Sequence, residues 1–241
     1  MSDVHGHTAD DTADDASDDQ GFRELLRGLR VPHADPLPVF DPAHAPDAPL
    51  PLFRRWLREA AEGGEPGPHT MMLATAGADG RPSVRTVMLH DADAHGWHFG
   101  THRTSRKGRE LAMRPYASLG FHWMRTGRQV RISGLVTEAG PEESAADLRG
   151  RSPAALAAAL AGAGRQSAVL GSPEELERAF EDAYERAGRE PDATSPSWTL
   201  YVVEPDEVEF YQEEPRRRHV RLRYRRAPEE RGGWRRELLW P

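Results

Sequence analysis

Apolar and polar residues alternate with a period of two in two separate parts of the chain, residues 70–138 and 197–239. This is the spacing of half-buried β-strands, in which successive side chains point to opposite faces. Between these parts, residues 141–189 change to the three- and four-residue spacing of amphipathic helices. The order predicts an antiparallel barrel or sandwich, with helices inserted between two groups of strands.

Turn residues set the limits of the predicted strands. Asp79-Gly80 suits the tight turn of a hairpin, and Gly134 interrupts the alternation of one strand, where it predicts a β-bulge. The predicted strands span 70–76, 83–90, 97–101, 116–123, 128–138, 197–204, 206–212, 219–225 and 233–239.

Helical spacing predicts a short helix over 21–30 and an amphipathic helix over 50–62. Three more helices are expected within 141–189. The last of these has a start signal in the sequence, because Ser172 can cap it while Glu175 closes a capping box.

Acidic residues are concentrated at the N-terminus. Residues 1–20 contain seven Asp and no Lys, Arg or Glu, which predicts a disordered acidic tail. The rest of the chain has 32 acidic and 32 basic residues, and this balance argues against a nucleic-acid partner. We therefore expect a tail over 1–20, a helix and a Pro-rich arm over 21–49, and a single domain over 50–241 with a helical insertion at 140–190.

The chain has no cysteine, which excludes disulfides, thiolate metal sites and cysteine nucleophiles. Its apolar runs fall short of the ~18 residues of a membrane span, and its acidic N-terminus differs from a secretory signal. We therefore predict a cytoplasmic protein without membrane partners. No metal is expected, because the scattered histidines lack the spacing of a zinc site; they are His90, His95, His98, His102 and His122.

The segment over 85–107 contains a strand, a turn, a second short strand and the start of a helix, with Arg85 at one end and Arg106 and Lys107 at the other. A helix N-terminus offers free N–H groups and a favourable dipole, so the segment predicts a phosphate site. Lys107 is the single lysine of the chain, which indicates a local need for a compact ammonium group. The alternative is a solvated Arg-Lys pair on a surface helix.

A second candidate site lies near the C-terminus. If this segment is a strand, Arg217, His219 and Arg221 project to one face, whereas Val220 and the apolar residues after it face the core. Two guanidinium groups can grip an anionic or electron-rich ligand, and the histidine can donate a hydrogen bond or carry a proton. The alternative is a solvated edge strand whose charges discourage aggregation.

The order of short motifs from about residue 48 to the end resembles the pyridoxine/pyridoxamine 5′-phosphate oxidase family of FMN-dependent flavoproteins. Each motif is weak alone, and the ordered set is specific. The motifs are residues 85–89, Phe99-Gly100-Thr101, Ser105-Arg106-Lys107, Arg128-Gln129-Val130, Gln166-Ser167, residues 209–212, Arg217-x-His219-x-Arg221 and Leu239-Trp240-Pro241.

The resemblance implies a mainly β fold with α-helices, an antiparallel FMN-binding split β-barrel of Greek-key type with peripheral and inserted helices. It also implies a homodimer with FMN between the subunits, in which Gln166 and its neighbours could serve the partner's flavin. It assigns Arg217 and His219 to catalysis and substrate contact over the flavin. The cofactor-binding residues that it implies are Arg85, Gly100, Thr101, Ser105, Arg106, Lys107, Gln129, Gln166, Ser167, Tyr211 and Arg221.

The chain departs from the family where the family grips the phosphate of its substrate with Lys, Tyr, Arg and Ser. These positions correspond to His90, Asp147, Arg151 and Ala155, so only the arginine is kept. An aspartate beside a phosphate is repulsive. The resemblance therefore favours the branch of the family that acts in phenazine biosynthesis and needs no substrate phosphate; His90, Asp147 and Arg151 remain the implied substrate-binding residues.

The leading hypothesis is an FMN-dependent oxidase of secondary metabolism. It would transfer a hydride from a reduced ring, of the dihydro-phenazine type, to FMN, with reoxidation by O₂ to H₂O₂. One alternative is a pyridoxine/pyridoxamine 5′-phosphate oxidase that makes pyridoxal 5′-phosphate in a remodelled pocket. The other is a flavin- or deazaflavin-binding module without turnover.

Overall fold

The computed structural model describes residues 11–30 and 36–241, and the chain divides after His33 into two units. The first unit contains helix α1 (Asp11–Gly28). This helix begins inside the stretch expected to be a disordered tail, because residues 11–20 lack Pro and Gly and the helix dipole favours Asp in its first turn. The remainder of the predicted tail, residues 1–10, lies outside the described residues.

The predicted apolar stripe of α1 is exposed within its own unit. Phe22, Leu25, Leu26 and Leu29 each keep half or more of their surface accessible. These four residues therefore have the spacing of a buried helix face, but their side chains are exposed.

The second unit, residues 34–241, is built on one antiparallel sheet, with nine strands over the described residues. In space the strands follow the order β2-β1-β5-β6-β7-β4-β3, while β8 pairs with β7 and β9. The strands are β1 (Thr70–Ala76), β2 (Pro82–Met88), β3 (Asp91–Ala92), β4 (Trp97–His102), β5 (Tyr116–Trp123), β6 (Arg128–Glu138), β7 (Trp198–Gln212), β8 (Val220–Arg226) and β9 (Trp234–Leu238).

Strand β7 corrects one sequence prediction, because the two strands expected at 197–204 and 206–212 are a single strand. Its first half pairs with β4 and β6, and its second half pairs with β6 and β8. Pro205 does not end the strand, since it lies where the register shifts beside Gly134. A Cβ on Gly134 would lie 1.9 Å from the Glu204 carbonyl oxygen, so this bulge requires glycine. The predicted bulge is confirmed.

Helices lie around the sheet. Helix α2 (Pro49–Glu62) presents Phe53 and Trp56 to the core face of the sheet, where both are almost fully buried. Phe53 makes edge-on ring contacts with Trp97 and Phe121, at centroid distances of 5.3 and 5.0 Å. The other helices of the unit are α3 (Arg106–Met113), α4 (Pro141–Arg149), α5 (Pro153–Ala161) and α6 (Pro173–Arg189).

The last part of the Pro-rich arm packs on the sheet unit. Phe40 is buried against Trp56, with a centroid distance of 5.0 Å. The Tyr224 hydroxyl donates to the Pro46 carbonyl at 2.8 Å. The folded unit therefore begins before residue 50, the start expected from the sequence.

The inserted helices form a second, smaller core on one side of the sheet. Leu148 of α4 and Leu156 of α5 are buried there with Trp198, the first residue of β7. The predicted cap of α6 is confirmed, because Ser172 Oγ accepts a hydrogen bond from the Glu175 N–H at 3.3 Å. The predicted capping box is not formed, because the Glu175 carboxylate accepts from the Gly171 N–H at 3.2 Å instead of from Ser172. Among the described residues, no helix is long and apolar enough to cross a bilayer.

We expect Phe53→Ala to lower the free energy of unfolding by about 3–5 kcal/mol, because it removes a buried ring and leaves a cavity. Urea unfolding followed by circular dichroism measures this change. The matched control is Phe22→Ala on the exposed stripe of α1, which should change stability by less than about 0.5 kcal/mol. Equal effects of the two substitutions would contradict this account of the core.

Candidate active site

At the start of helix α3, the backbone of Gly108 passes close to that of Arg103. The buried Ser105 caps the helix, and its Oγ accepts a hydrogen bond from the Gly108 N–H at 3.2 Å. A Cβ on Gly108 would lie 2.4 Å from the Arg103 carbonyl oxygen, so the crossing requires glycine here. This geometry fixes Arg106 and Lys107 in the first turn of α3. Ser105, predicted to bind the cofactor, thus has a structural role as the cap.

Glu110, one turn further along α3, lies among the predicted phosphate-binding cations. Its Oε2 is 3.2 Å from Arg85 Nη2, and its Oε1 accepts from Arg106 Nε at 2.9 Å. Burial raises the pKa of Glu110, but hydrogen bonds from Ser83 and Thr75 and from the two arginines outweigh it and lower the pKa to about 2. Glu110 is therefore an ionised carboxylate that orients Arg85 and Arg106.

Lys107 completes this group. Its Nζ lies 3.1 Å from Thr101 Oγ1 and 3.3 Å from Gln166 Oε1, which are both neutral oxygens. Burial lowers the pKa of Lys107 to about 8, with further repulsion from Arg85 that Glu110 partly offsets. We call Arg85, Arg106, Lys107 and Glu110 the cation cluster. Three cations share one carboxylate here, and the net positive charge suits an anionic phosphate.

The loop after α5 closes over the start of α3. Gln166 Oε1 accepts from the Thr101 hydroxyl at 3.0 Å, and Ser167 Oγ accepts from the Arg106 backbone N–H at 3.1 Å. Ser167 has a φ of 73°, a strained conformation of the kind that occurs at functional sites. Both residues thus join the cation cluster of their own chain, whereas the sequence hypothesis allowed them to serve the partner.

Three other predicted cofactor residues form a second group, on strands β6, β7 and β8. Gln129 pairs in register with Tyr211, which pairs with Arg221, so the three side chains share one face. We call them the outer-face group. Arg221 is held by Glu209, whose Oε1 accepts from Arg221 Nε at 2.7 Å, and by the Trp240 carbonyl at 2.7 Å.

The two groups lie on opposite faces of the sheet. Arg85 pairs with Leu73, a fully buried core residue, so the cation cluster borders the core face. The neighbours of Gln129 and Tyr211 along their strands, Val130 and Phe210, point into the core, so the outer-face group points away from it. The sequence did not predict this division.

The structure corrects the predicted Arg-His-Arg row. Strand β8 begins at Val220, so Arg217 and His219 precede the strand and only Arg221 lies on it. Arg217 is exposed in a turn with a φ of 60°, because β7 and β8 separate beyond the Gln212–Val220 pair. The apolar face after Val220 is confirmed by burial.

His219 nevertheless remains beside the outer-face group. Its ring centroid lies 5.2 Å from that of Tyr211, and its Nδ1 accepts from the Glu214 backbone N–H at 3.1 Å. This contact leaves Nε2 to carry the ring proton of the neutral tautomer, ready to donate to a ligand.

Three of the five predicted substrate residues, His90, Asp147 and Arg151, form a compact cluster with Trp198, which we call the aspartate cluster. His90 Nδ1 donates to Asp147 Oδ1 at 2.7 Å, and Trp198 Nε1 donates to Asp147 Oδ2 at 2.8 Å. The Arg151 guanidinium lies 4.4 Å above the Trp198 ring. A Cβ on Gly100 would lie within 3 Å of three of these side chains, so glycine allows β4 to pass this close.

Sequence reasoning assigned no role in the site to Glu110, Glu209 or Trp198. Glu110 had a signal, since it follows Arg106 by four residues on a predicted helix, the spacing of an ion pair. Trp198 had none, because only the packing of β7 on α4 brings it to Asp147. No group of three or more His, Asp or Glu among the described residues is placed to hold a metal ion.

The curled antiparallel sheet with peripheral and inserted helices is a split β-barrel, the predicted fold class. Residues 57–187 match the pyridoxamine 5′-phosphate oxidase family, and residues 198–241 match the pyridoxine 5′-phosphate oxidase C-terminal dimerisation region. The chain belongs to this family.

Named relatives and solved structures agree with this assignment. The pyridoxine/pyridoxamine 5′-phosphate oxidase of Burkholderia multivorans is 43% identical over 80% of this chain and 89% of its own. PhzG from Burkholderia lata, solved with tetrahydrophenazine-1-carboxylic acid, is 33% identical with a TM-score of 0.77 over 85% of this chain and 99% of its own. An FMN-binding protein from Nostoc punctiforme shares the fold, with a TM-score of 0.61 and 21% identity over 78% and 97% of the two chains.

We expect Glu110→Gln to lower the free energy of unfolding by about 1–3 kcal/mol at pH 7, because a neutral amide leaves Arg85 and Arg106 without their counter-charge. The pKa of Glu110 is lowered by folding, so this advantage of the native carboxylate is complete above its ordinary pKa and is lost as the pH falls toward 2. Urea unfolding at pH 7, 5 and 3 measures it.

The control for Glu110→Gln is Glu177→Gln, which makes the same change at an exposed position of α6. A stability difference between Glu110→Gln and the native chain that stays constant from pH 7 to pH 3 would argue against an ionised, hydrogen-bonded Glu110.

Proposed function

We propose that this chain is an FMN-dependent oxidase that takes a hydride from a reduced ring substrate. The observation that carries the proposal is the cation cluster, in which Arg85, Arg106 and Lys107 share the single carboxylate of Glu110. Its excess positive charge beside the α3 N-terminus suits the phosphate of FMN. Thr101, Gln166 and Ser167 would complete the contacts.

The protein would act as a homodimer. The outer-face group cannot readily join the cation cluster of its own chain around one flavin, since the sheet lies between them. A second copy could bring its Gln129, Tyr211 and Arg221 to the flavin ring. The match to a dimerisation region supports this arrangement. So does a groove of about 520 Å³ on the outer face, which Gln129 lines together with the exposed Met72 and Val84.

The residues of the chain would bind and orient, while the cofactor supplies the redox chemistry. Bound FMN would supply a two-electron acceptor for the hydride, and O₂ would receive the two electrons with two protons to give H₂O₂. Arg221, fixed by Glu209, would hold positive charge at the flavin ring. His219 would donate from Nε2 to the substrate, and Arg217 would approach it from the neighbouring turn.

We assign a ring of the dihydro-phenazine type as the substrate, in secondary metabolism. The support is the likeness to PhzG, together with the aspartate cluster, in which Asp147 pairs with the side chains that would otherwise be free to bind an anion.

The second candidate function is that of a pyridoxine/pyridoxamine 5′-phosphate oxidase, which the 43% identity to the Burkholderia multivorans enzyme favours. A cytoplasmic location stays a prediction of the sequence.

FMN affinity should fall as the pH rises above about 8, because the unbound Lys107 loses its proton there and phosphate binding needs the charge. The decrease should approach about tenfold per pH unit. Lys107→Arg should remove this dependence, since arginine stays protonated. Quenching of flavin fluorescence at pH 7, 8 and 9 measures the affinity.

Riboflavin, which lacks the phosphate, is the control ligand for the Lys107 titration and should bind with little change over the same pH range. A parallel decrease for riboflavin and FMN, or a flat FMN profile for the native chain, would remove Lys107 from the phosphate site.

In the FMN-loaded protein without oxygen, a dihydro-phenazine carboxylate should bleach the flavin absorbance within seconds to minutes, and pyridoxine 5′-phosphate should leave it unchanged. His219→Ala should slow the bleaching by about 10²-fold, as expected for loss of a positioned donor. Stopped-flow absorbance measures both.

The matched comparison for the bleaching experiment is Arg217→Ala against Arg216→Ala, which remove neighbouring exposed arginines of the same turn. Only the first should slow the reaction. Rapid bleaching by pyridoxine 5′-phosphate alone would favour the second candidate function instead.

A further inference from the structure

Lys107 is the cation of the cation cluster that forms no ion pair with a carboxylate among the described residues. Its Nζ lies 3.1 Å from Thr101 Oγ1 and 3.3 Å from Gln166 Oε1, and neither oxygen carries a charge. The Glu110 carboxylate contacts the two arginines of the cluster instead. The side chain of Lys107 is only partly buried, so a small reagent can reach its amine from solvent.

The surroundings of Lys107 favour its neutral form, which is the nucleophilic form of an amine. Burial disfavours the ammonium group, and repulsion from Arg85 adds to this, while Glu110 partly offsets both; together they lower the pKa of Lys107 to about 8. About a tenth of this amine is then neutral at pH 7, against less than about a thousandth for a lysine with an ordinary pKa. Because Lys107 is the single lysine of the chain, side-chain amine chemistry is confined to this position.

The two arginines of the cluster offer a binding place for the other half of a reagent. Arg85 Nη2 and Arg106 Nε lie 3.2 and 2.9 Å from the carboxylate oxygens of Glu110, which holds both guanidinium groups in place. Three cations that share one carboxylate attract a phosphate group. An electrophilic carbon bonded directly to that phosphate would be brought to the amine of Lys107, whereas an electrophile several bonds away would not.

We propose that Lys107 of the flavin-free chain is a site of acylation by acyl phosphates, and that this acylation blocks the binding of FMN. The lone pair of Lys107 Nζ forms a bond to the carbonyl carbon, and the bond from this carbon to the phosphate oxygen breaks. The phosphate leaves with that electron pair beside Arg85 and Arg106, and the nitrogen loses one proton to water. The products are an amide at Lys107 and inorganic phosphate, and nothing is oxidised or reduced.

Acylation would change what the cation cluster can bind. The amide carries no charge, so two cations and one carboxylate would remain, and the acyl group would occupy space where a phosphate binds. Loading of the cofactor would thus depend on the supply of acyl phosphates. The effect on FMN rests on the proposed function, whereas the acylation itself depends only on the residues of the cluster.

The test treats the full-length chain, with and without FMN, with acetyl phosphate at pH 7 and follows acetylation by peptide mass spectrometry. The internal reference is the lysine introduced by Arg178→Lys at an exposed position of α6. In the flavin-free chain, Lys107 should react at least about tenfold faster than this reference, because more of its amine is neutral and the phosphate is held beside it. Inorganic phosphate should protect Lys107 and leave the reference unchanged. Equal rates at the two lysines would overturn the proposal.

Two arginines of α3 separate phosphate recognition from simple reactivity of the amine. Arg106→Gln should slow acetylation by acetyl phosphate about tenfold, and the fold should tolerate it because this side chain is 61% exposed. Arg109→Gln, at another exposed position of the helix, is the matched control and should have no effect. With N-acetoxysuccinimide, an acyl donor without a phosphate, both variants should react like the native chain. Reaction of Arg106→Gln with acetyl phosphate at the native rate would contradict the role of the arginines.

Binding of FMN, measured by quenching of flavin fluorescence, reports the consequence of acylation. The acetylated chain should bind FMN at least about tenfold more weakly, whereas Lys107→Arg should keep its affinity after the same treatment because its guanidinium stays protonated. Unchanged affinity of the acetylated chain would overturn the proposed block. Acetylation of Lys107 that bound FMN does not prevent would support the acylation site and count against the proposed FMN site, so the two can fail separately.

Discussion

Strand β7 is the constraint on which the rest of the sheet depends, because both halves of the sheet share its backbone. Its first half holds β4 and its second half holds β8, while β6 runs along both. The change of partner occurs at Pro205, where the missing N–H and the close approach of Gly134 fit a bulge. The positions of Gly100 on β4 and Arg221 on β8 therefore depend on one strand.

Charge is distributed differently in the two ion clusters beside β4. The cation cluster has three cations around Glu110 and keeps a positive excess, so an anion can add to it. The aspartate cluster contains its own anion, Asp147, and is balanced without a ligand. Because desolvation makes an unbalanced charge costly, an anion added to the first cluster would balance its charge, which supports the proposed site for the phosphate of FMN.

The separation of the outer-face group from the cation cluster gives the proposed dimer a physical role. Because side chains alternate along a strand, Arg85 points to the core face and Gln129 to the opposite face, and rotating a side chain cannot move it to the other face of the sheet. In the proposed dimer, a second copy would supply Tyr211 and Arg221 to a flavin held at its phosphate by the first.

The sequence by itself determined most of the strands, the bulge at Gly134 and the basic start of α3, because these depend on local periodicity and backbone freedom. It also identified Arg85 and Lys107, which the structure brings together. Only the tertiary structure decided that Arg217 and His219 lie before strand β8 and not on it, and that Trp198 reaches Asp147. These depend on where strand pairing ends and on packing between residues far apart in the chain, which no local pattern records.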